Sequence, residues 1–218
     1  MARNNSVTGN FNYNNVDKIH KNFIYKNLER SNCYNCDFTE SIFDYVSFRG
    51  AHFKSCMFAG CSFKWAEFVG TNLKDSDFEN AVFENTVFDS VRLEGANFRN
   101  AKFKNTKFFN TDIKSAKYLN IRNPAIKVID EPIELSISEE LQNAAINAME
   151  NKYVKTSRVL DTKDGGINLL NIMILLEIFD EAALIKGLNM IQTQVDRDFY
   201  TLSYLIRLIQ NGVLQNDF

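Results

Sequence analysis

The sequence is poor in several residues on which common functions depend. Among its 218 residues are two histidines, two prolines and one tryptophan, and the net charge is −2. No apolar run reaches the roughly 18 residues that a membrane-spanning helix needs, so no membrane span is expected. The polar N-terminal stretch MARNNSVTGNFNYNN lacks the apolar core of a signal peptide. The sequence therefore predicts a cytoplasmic protein without direct binding to nucleic acid or membranes.

Sequence motifs that carry catalysis are also missing. The chain has no glycine-rich phosphate loop, no nucleophile elbow and no metal-binding helix motif. Its carboxylates are numerous, but a solvated surface also has many carboxylates. We therefore predict that the protein is not an enzyme and that it needs no cofactor.

Phenylalanine is the residue in excess, with 19 copies. From Phe23 to Tyr118 an apolar residue recurs at every fifth position, and fourteen of these twenty are Phe. From Ser31 onward the residue two positions earlier is always small: Ala, Thr, Ser, Cys or Val. A helix has a period of 3.6 residues and a strand a period of two, so neither explains the pattern. A period of five with one large and one small inward residue indicates a solenoid that turns a corner at each repeat.

The repeat resembles the pentapeptide-repeat family, whose signature is A(D/N)LXX in tandem. CDFTE (Cys36–Glu40), SDFEN (Ser76–Asn80) and ANFRN (Ala96–Asn100) match this signature. The resemblance implies a right-handed, four-sided parallel β-helix with four repeats per coil. It thus implies about five coils over residues 21–120, with residues twenty apart stacked in columns. One such column is Phe38, Phe58, Phe78, Phe98 and Tyr118.

The segments outside the repeat predict a cap, a linker and a helical domain. Residues 1–20 break the repeat and are expected to form an N-terminal cap. Residues 121–135 contain both prolines and are predicted to be an extended linker. Residues 136–218 have helical periodicity, and Ser136 with Glu139 fits a capping box. Three helices are expected, the middle one over Ile167–Leu188.

The apolar middle helix leaves two interpretations open. It has more apolar residues than two partner helices readily cover. Either it packs on the end of the solenoid and on its sister helices, or it forms a homodimer interface.

The four cysteines invite a zinc interpretation, because Cys33 and Cys36 form a C-x-x-C motif followed by Cys56 and Cys61. All four fall at inward positions of the repeat, where Cys serves as a small apolar residue. With four repeats per coil, Cys36 and Cys56 stack at a distance suited to a disulfide, but a reducing cytoplasm disfavours that bond. We therefore predict structural cysteines and no metal site.

Three aromatic residues mark one edge of the predicted solenoid. Tyr25, Tyr45 and Trp65 occupy the corner position at which Asn or Gly is usual in this chain. They either pack under the cap or the linker, or form a partner-binding patch, since aromatic residues favour interfaces. A neighbouring column of alternating charge is expected to pair across coils: Asp44, Lys64, Glu84 and Lys104.

Charge is also banded along the predicted rod. Seven acidic residues against two basic ones form an acidic band between residues 67 and 94, followed by a basic stretch. The members of the acidic band are Glu67, Asp75, Asp77, Glu79, Glu84, Asp89 and Glu94. Such a band is either solvated surface or part of a binding site.

These features lead to two functional hypotheses. The first is a non-enzymatic scaffold whose rod presents flat faces to a protein partner. The second follows from the resemblance, because some pentapeptide-repeat proteins mimic DNA, bind bacterial type II topoisomerases and protect them from quinolones or toxins. That mimicry asks for acidic stripes along the rod, whereas here the acidic residues surround the middle coils. The alternating and banded charge therefore favours the scaffold.

Overall fold

The computed structural model describes residues 11–215, with side chains described as far as residue 212. The chain divides into two compact units, Met1–Glu131 and Pro132–Phe218. The first unit is a β-solenoid of about six turns. The second consists of helices and the loops between them.

The solenoid is built from short parallel strands that pair with strands twenty residues further on. Cys33 pairs with Phe53, and Phe88 pairs with Phe108. With twenty residues per coil and a corner at every fifth residue, each coil has four faces, as the resemblance implies. The strands are β1 (Asn12–Asn14), β2 (Asn32–Tyr34), β3 (His52–Lys54), β4 (Glu67–Val69), β5 (Val82–Glu84), β6 (Val87–Asp89), β7 (Lys102–Lys104), β8 (Thr106–Phe109) and β9 (Ile126–Ile129).

The four faces are numbered by the inward residues at their centres. Face 1 contains Cys33, Phe53, Leu73 and Leu93; face 2 contains Phe38, Phe58, Phe78 and Phe98; face 3 contains Phe23, Phe43, Phe63, Phe83 and Phe103; face 4 contains Leu28, Phe48, Phe68, Phe88 and Phe108. Rings twenty apart stack nearly parallel, and the centroids of Phe58 and Phe78 are 5.1 Å apart at 4°. The excess of phenylalanine is thereby explained by the core alone.

Many of the small inward residues also form hydrogen bonds, in addition to fitting the limited space inside the solenoid. From Ser41 onward, where the small inward residue is Ser, Thr or Cys, its side chain donates a hydrogen bond to a backbone carbonyl of the preceding coil. Thr86 Oγ1 donates to the carbonyl oxygen of Phe63 at 2.5 Å, and Cys61 Sγ donates to that of Phe38 at 3.0 Å. These bonds join successive coils and satisfy buried polar atoms.

The corners impose a left-handed backbone. Every fifth residue from Asn15 to Asn110 has a φ between 45° and 72°. Asn and Gly, which tolerate this conformation best, occupy eleven of these twenty corners. Gly95 has a second reason to be Gly, because an added Cβ would lie 2.3 Å from a carboxylate oxygen of Asp75.

The solenoid begins earlier than the sequence indicated. We expected residues 1–20 to be a cap, but β1 pairs with β2 in the same twenty-residue register as the later strands. Tyr13 and Val16 pack against the core where the repeat would place them. The charged Lys18, at the central position between Tyr13 and Phe23, interrupted the apolar pattern. The first ten residues of the predicted cap lie outside the described part of the chain.

The solenoid also ends later than expected. The segment 121–135 was predicted to be a linker, but β9 pairs in parallel with β8, matching Phe108 with Val128. Ile126 and Val128 occupy the two inward positions of one more face. Between these elements Tyr118, which we expected to end an inward column, has φ 59° and is 63% exposed. The chain leaves the regular coil there and returns at β9.

Within residues 132–215 the second unit has five helices instead of three. They are α1 (Glu139–Ala148), α2 (Lys152–Ser157), α3 (Leu169–Leu176), α4 (Glu181–Gln194) and α5 (Leu202–Gln215). The N-cap of α1 is Ser138, whose hydroxyl accepts from the Leu141 amide, and not Ser136. The predicted middle helix is broken because Asp180 accepts from the Ala183 amide and starts α4. None of the helices over residues 11–215 is long and apolar enough to cross a membrane.

Because of this break, the apolar residues from Ile167 to Leu188 are divided between the two helices α3 and α4. Ile172, Leu175 and Leu184 are among the buried side chains of this segment, whereas Phe179 is half-buried and Ile178 is exposed at 38%. Gly187 lets α4 approach α5, because a Cβ there would lie 2.6 Å from Ile209 Cγ2.

Candidate functional site

The three aromatic residues form a column along the edge between faces 3 and 4. Tyr25, Tyr45 and Trp65 have φ values of 61°, 61° and 55°. The rings of Tyr25 and Tyr45 stack with centroids 4.9 Å apart. Tyr25 is 53% exposed, while Tyr45 and Trp65 are half-buried. The structure thus brings the predicted residues together at the surface of the rod.

In the later coils the same edge has asparagine at its corners, which shows that the solenoid folds there without aromatic side chains. Asn85 and Asn105 follow in the column, and the Asn105 amide donates to the Asn85 side-chain oxygen at 2.7 Å. Asn15 and Asn35 make the same contact at another edge. A ladder of asparagines therefore suffices, and the aromatic rings are an addition to it.

The alternating charge column beside the aromatic edge pairs as predicted. Glu84 lies 2.6 Å from Lys104 Nζ and 3.9 Å from Lys64 Nζ. The hydrogen bond from Lys104 lowers the pKa of Glu84. Asp44 instead accepts from Ser62 Oγ and from the Lys64 amide. Exposed pairs of this kind contribute up to about 1 kcal/mol each, so they stabilise the edge only slightly.

The acidic band is divided among all the faces. Asp77 and Glu79 share face 2, Asp75 is at its corner, and Glu94 is on face 1. Glu84 is on face 3. Glu67 and Asp89 lie on face 4, where Glu67 is only 7% exposed and burial raises the pKa of Asp89. The band therefore does not form one continuous acidic surface.

The cysteines are buried and free of disulfides. Burial raises the pKa of Cys33, Cys56 and Cys61 to about 12, so their thiols stay protonated at neutral pH. Over residues 11–215 no three His, Cys, Asp or Glu side chains are arranged to hold a metal ion. His20 pairs with Glu40 at 3.1 Å on the surface.

The structure adds a feature that the sequence pattern did not reveal. In the first four coils, residues 11–90, face 2 has five acidic residues against one basic residue, whereas the other faces are balanced or slightly basic. The acidic residues of face 2 are Asp17, Asp37, Glu40, Asp77 and Glu79. Writing the sequence in rows of twenty would have shown this, but only once the number of corners per coil is known.

Two family models match parts of the solenoid. One, described as pentapeptide repeats (8 copies), matches residues 31–68. The other, described as the SV2A/B/C luminal domain, matches residues 59–126. A search of curated proteins finds no match to this sequence.

Solved pentapeptide-repeat structures resemble the chain at low identity. A thylakoid-lumen protein from Arabidopsis thaliana is 18% identical, with a TM-score of 0.41 over 42% of this chain and 64% of that one. HetL, involved in heterocyst differentiation in Nostoc, is 16% identical, with a TM-score of 0.38 over 47% and 45%. QnrB1, a plasmid-mediated fluoroquinolone resistance protein, is 15% identical, with a TM-score of 0.18 over 55% and 92%. The chain spans less than two thirds of the first two, and at these TM-scores the likenesses support no functional conclusion.

Proposed function

Because the chain is a pentapeptide-repeat protein with an added helical unit, we propose that it is a non-enzymatic scaffold that binds a protein partner through its aromatic edge. One observation carries this proposal. Tyr25, Tyr45 and Trp65 are held in the left-handed conformation at corners where Asn would fold more easily. The left-handed corner is a feature of the fold that His20, Arg30 and Glu40 share. What distinguishes this column is its aromatic side chains, which dominate binding energy at interfaces.

The cost of these corners can be compared with what the fold gains from them. The left-handed backbone conformation is unfavourable by about 1–2 kcal/mol for a residue with a Cβ, and by less for Asn and Gly. Tyr25 keeps about half of its surface in water, and at about 25 cal/mol per Å² the buried half offsets this cost. The exposed half of the ring adds nothing to stability, and we propose that it serves binding.

The position of the column along the rod supports the same proposal. Before Tyr118, the large apolar side chains that are exposed in the described solenoid all belong to its first three coils: Tyr25, Tyr34, Ile42 and Met57. The corners from Asn80 to Asn110 carry only Asn, Ser and Gly. The first three coils thus combine strained corners with exposed apolar surface, and we assign the partner to that part of the rod.

The test replaces each aromatic residue by the residue that its corner favours. Tyr45→Asn and Trp65→Asn should abolish capture of the partner from native lysate by the full chain, while the thermal unfolding temperature stays equal or rises. Asn85→Gly, at the same edge and with φ 52°, is the matched control and should retain the partner. Unchanged capture by Tyr45→Asn and Trp65→Asn would show that the aromatic edge is only packing.

A second candidate is binding to a bacterial type II topoisomerase by DNA mimicry, with protection against quinolones or toxins. It is favoured by the acidic excess on face 2 and disfavoured by the neutralisation of Glu84 by two lysines. Competition between the chain and duplex DNA for gyrase, measured at rising salt, tests it. Affinity for gyrase that falls steeply with salt would support mimicry, and no competition would exclude it.

The location and oligomeric state of the scaffold are separate proposals. We propose that it acts in the cytoplasm, where its free cysteines stay reduced. We expect a monomer, since Ile172, Leu175 and Leu184 of the apolar segment are buried within one chain. Light scattering that shows a dimer at micromolar concentration would restore the homodimer through the C-terminal helices.

A further inference from the structure

Met57 is an exposed apolar residue in the middle of the acidic face. It is 46% exposed at the centre of face 2. Its backbone bridges to Asp37 in the coil before and to Asp77 in the coil after. At about 4.8 Å per coil, the two aspartates lie about 10 Å apart with the Met side chain between them.

Neither aspartate forms a salt bridge within the described residues, and the charge of Arg99, in the next coil, interacts with those of Asp77 and Glu79. Asp37 accepts from the Thr39 amide at 2.8 Å, and Asp77 accepts from the Glu79 amide at 2.9 Å and from the Asn97 side chain. Glu84 on face 3, by contrast, lies between two lysines.

The fold does not require a charge at these two positions. Asn22 accepts from the Ile24 amide at 2.9 Å, and Asn97 accepts from the Arg99 amide at 3.1 Å. This is the turn contact that Asp37 makes, so a neutral amide serves the backbone equally well. Met57 departs from the same rule, because its side chain cannot accept the amide of Ala59. Face 2 therefore keeps charges and an apolar side chain that the solenoid has no need for.

We propose that face 2 is a second docking surface, which binds a basic segment of a protein partner. Two cationic side chains about 10 Å apart would meet Asp37 and Asp77, and an apolar side chain between them would cover Met57. A helix offers this pattern at positions i and i+7, which are about 10.5 Å apart. Methionine suits such a contact because its flexible side chain adapts to the shape of its partner. The proposal goes beyond the aromatic edge, which lies elsewhere on the rod.

The probe is a helical peptide of about 15 residues with Arg at i and i+7 and Leu at i+3, and its control has Glu in place of both Arg residues. Binding of the labelled peptide to the full chain is followed by fluorescence anisotropy at low and at physiological salt. The double variant Asp37→Asn/Asp77→Asn keeps both turn contacts and should weaken binding at least tenfold. The control variant Asp112→Asn removes a charge from face 1 at a position with the same contact to the Lys114 amide, and it should bind as the native chain does.

Met57→Asp separates this surface from general mimicry of a polyanion. It adds negative charge and removes the apolar contact, so the peptide should bind more weakly, whereas a polyanion mimic would bind it more tightly. Tighter binding by Met57→Asp, equal binding by Asp37→Asn/Asp77→Asn, or no binding of the Arg peptide to the native chain would each overturn the proposal. Trp65→Asn should leave peptide binding unchanged, so failure of the aromatic edge and failure of face 2 are distinguishable.

Discussion

Removing one ring from the middle of the phenylalanine core tests the physical basis of the solenoid. Phe58 is fully buried and stacks between Phe38 and Phe78 at 5.2 and 5.1 Å. It also contacts the rings of Phe43, Phe53 and Phe63 at 5.6–5.8 Å. Phe→Ala in a core costs about 3–5 kcal/mol, and aromatic pairs contribute about 0.5–1.5 kcal/mol each beyond burial. With five ring neighbours, Phe58→Ala should lie at the upper end, a loss of about 5 kcal/mol.

Phe103 is the matched control on the neighbouring face. Its ring is partly exposed, stacks only on Phe83, at 5.3 Å, and contacts Phe98 and Phe108 at 6.1 and 6.4 Å. Phe103→Ala should therefore cost less, about 2–3 kcal/mol, because a site near solvent loses less on truncation.

The assay is equilibrium unfolding of the full chain in urea, followed by tryptophan fluorescence. Trp65 is the only tryptophan and lies in the solenoid, so its signal reports that unit without a contribution from the helices. A loss for Phe58→Ala below about 2 kcal/mol, or no greater than that for Phe103→Ala, would refute the view that column stacking holds the rod together.

Four further predictions concern single contacts. Thr86→Val should cost about 1–2 kcal/mol in the same assay, because it removes the bond to the Phe63 carbonyl, whereas Thr86→Ser should cost less. The native cysteine thiols should resist alkylation at pH 8, because burial raises the pKa of Cys33, Cys56 and Cys61 to about 12; mass spectrometry should find labelling only after unfolding. Burial raises the pKa of Asp89, so its contribution to stability is lost as pH rises through the folded-state pKa; Asp89→Asn should stabilise the chain at pH 7, and the gain should vanish near pH 4. Ser138→Ala should lower helix stability by about 1 kcal/mol in circular dichroism at 222 nm, and an equal loss from Ser136→Ala would contradict the observed N-cap.

Several features of the fold were predictable because they depend on local periodicity. Period five specifies a corner at each repeat, and the Phe and small-residue positions specify what points inward. The predicted column that includes Phe58 and Phe78 is confirmed. The ends were harder to predict because the signal weakens there. Tyr13 and Val128 are inward residues of the same pattern, but neither is Phe, and the prolines near Val128 resembled a linker.

The candidate binding residues likewise include some that the sequence predicted and some that only the structure brought together. The unusual aromatic residues at Tyr25, Tyr45 and Trp65 could be read from the sequence, because a corner position has its own local preference. The significance of Met57 could not, since it depends on Asp37 and Asp77, which are twenty residues away in either direction. The family resemblance implies that residues twenty apart are neighbours, but the period of five alone does not, and the exposure of Met57 is visible only in the structure.

The sequence by itself determined the repeat, its inward residues and the helical character of the C-terminal part, because each follows from contacts a few residues apart. Tertiary structure alone decided which side chains of a column contact each other, where the solenoid begins and ends, and where Asp180 divides the long apolar segment. These depend on pairing between coils and on packing between helices, whose energies come from residues distant in the chain. The acidic face around Met57 belongs to this second class, since charge adds up on a surface only after the coils have been stacked.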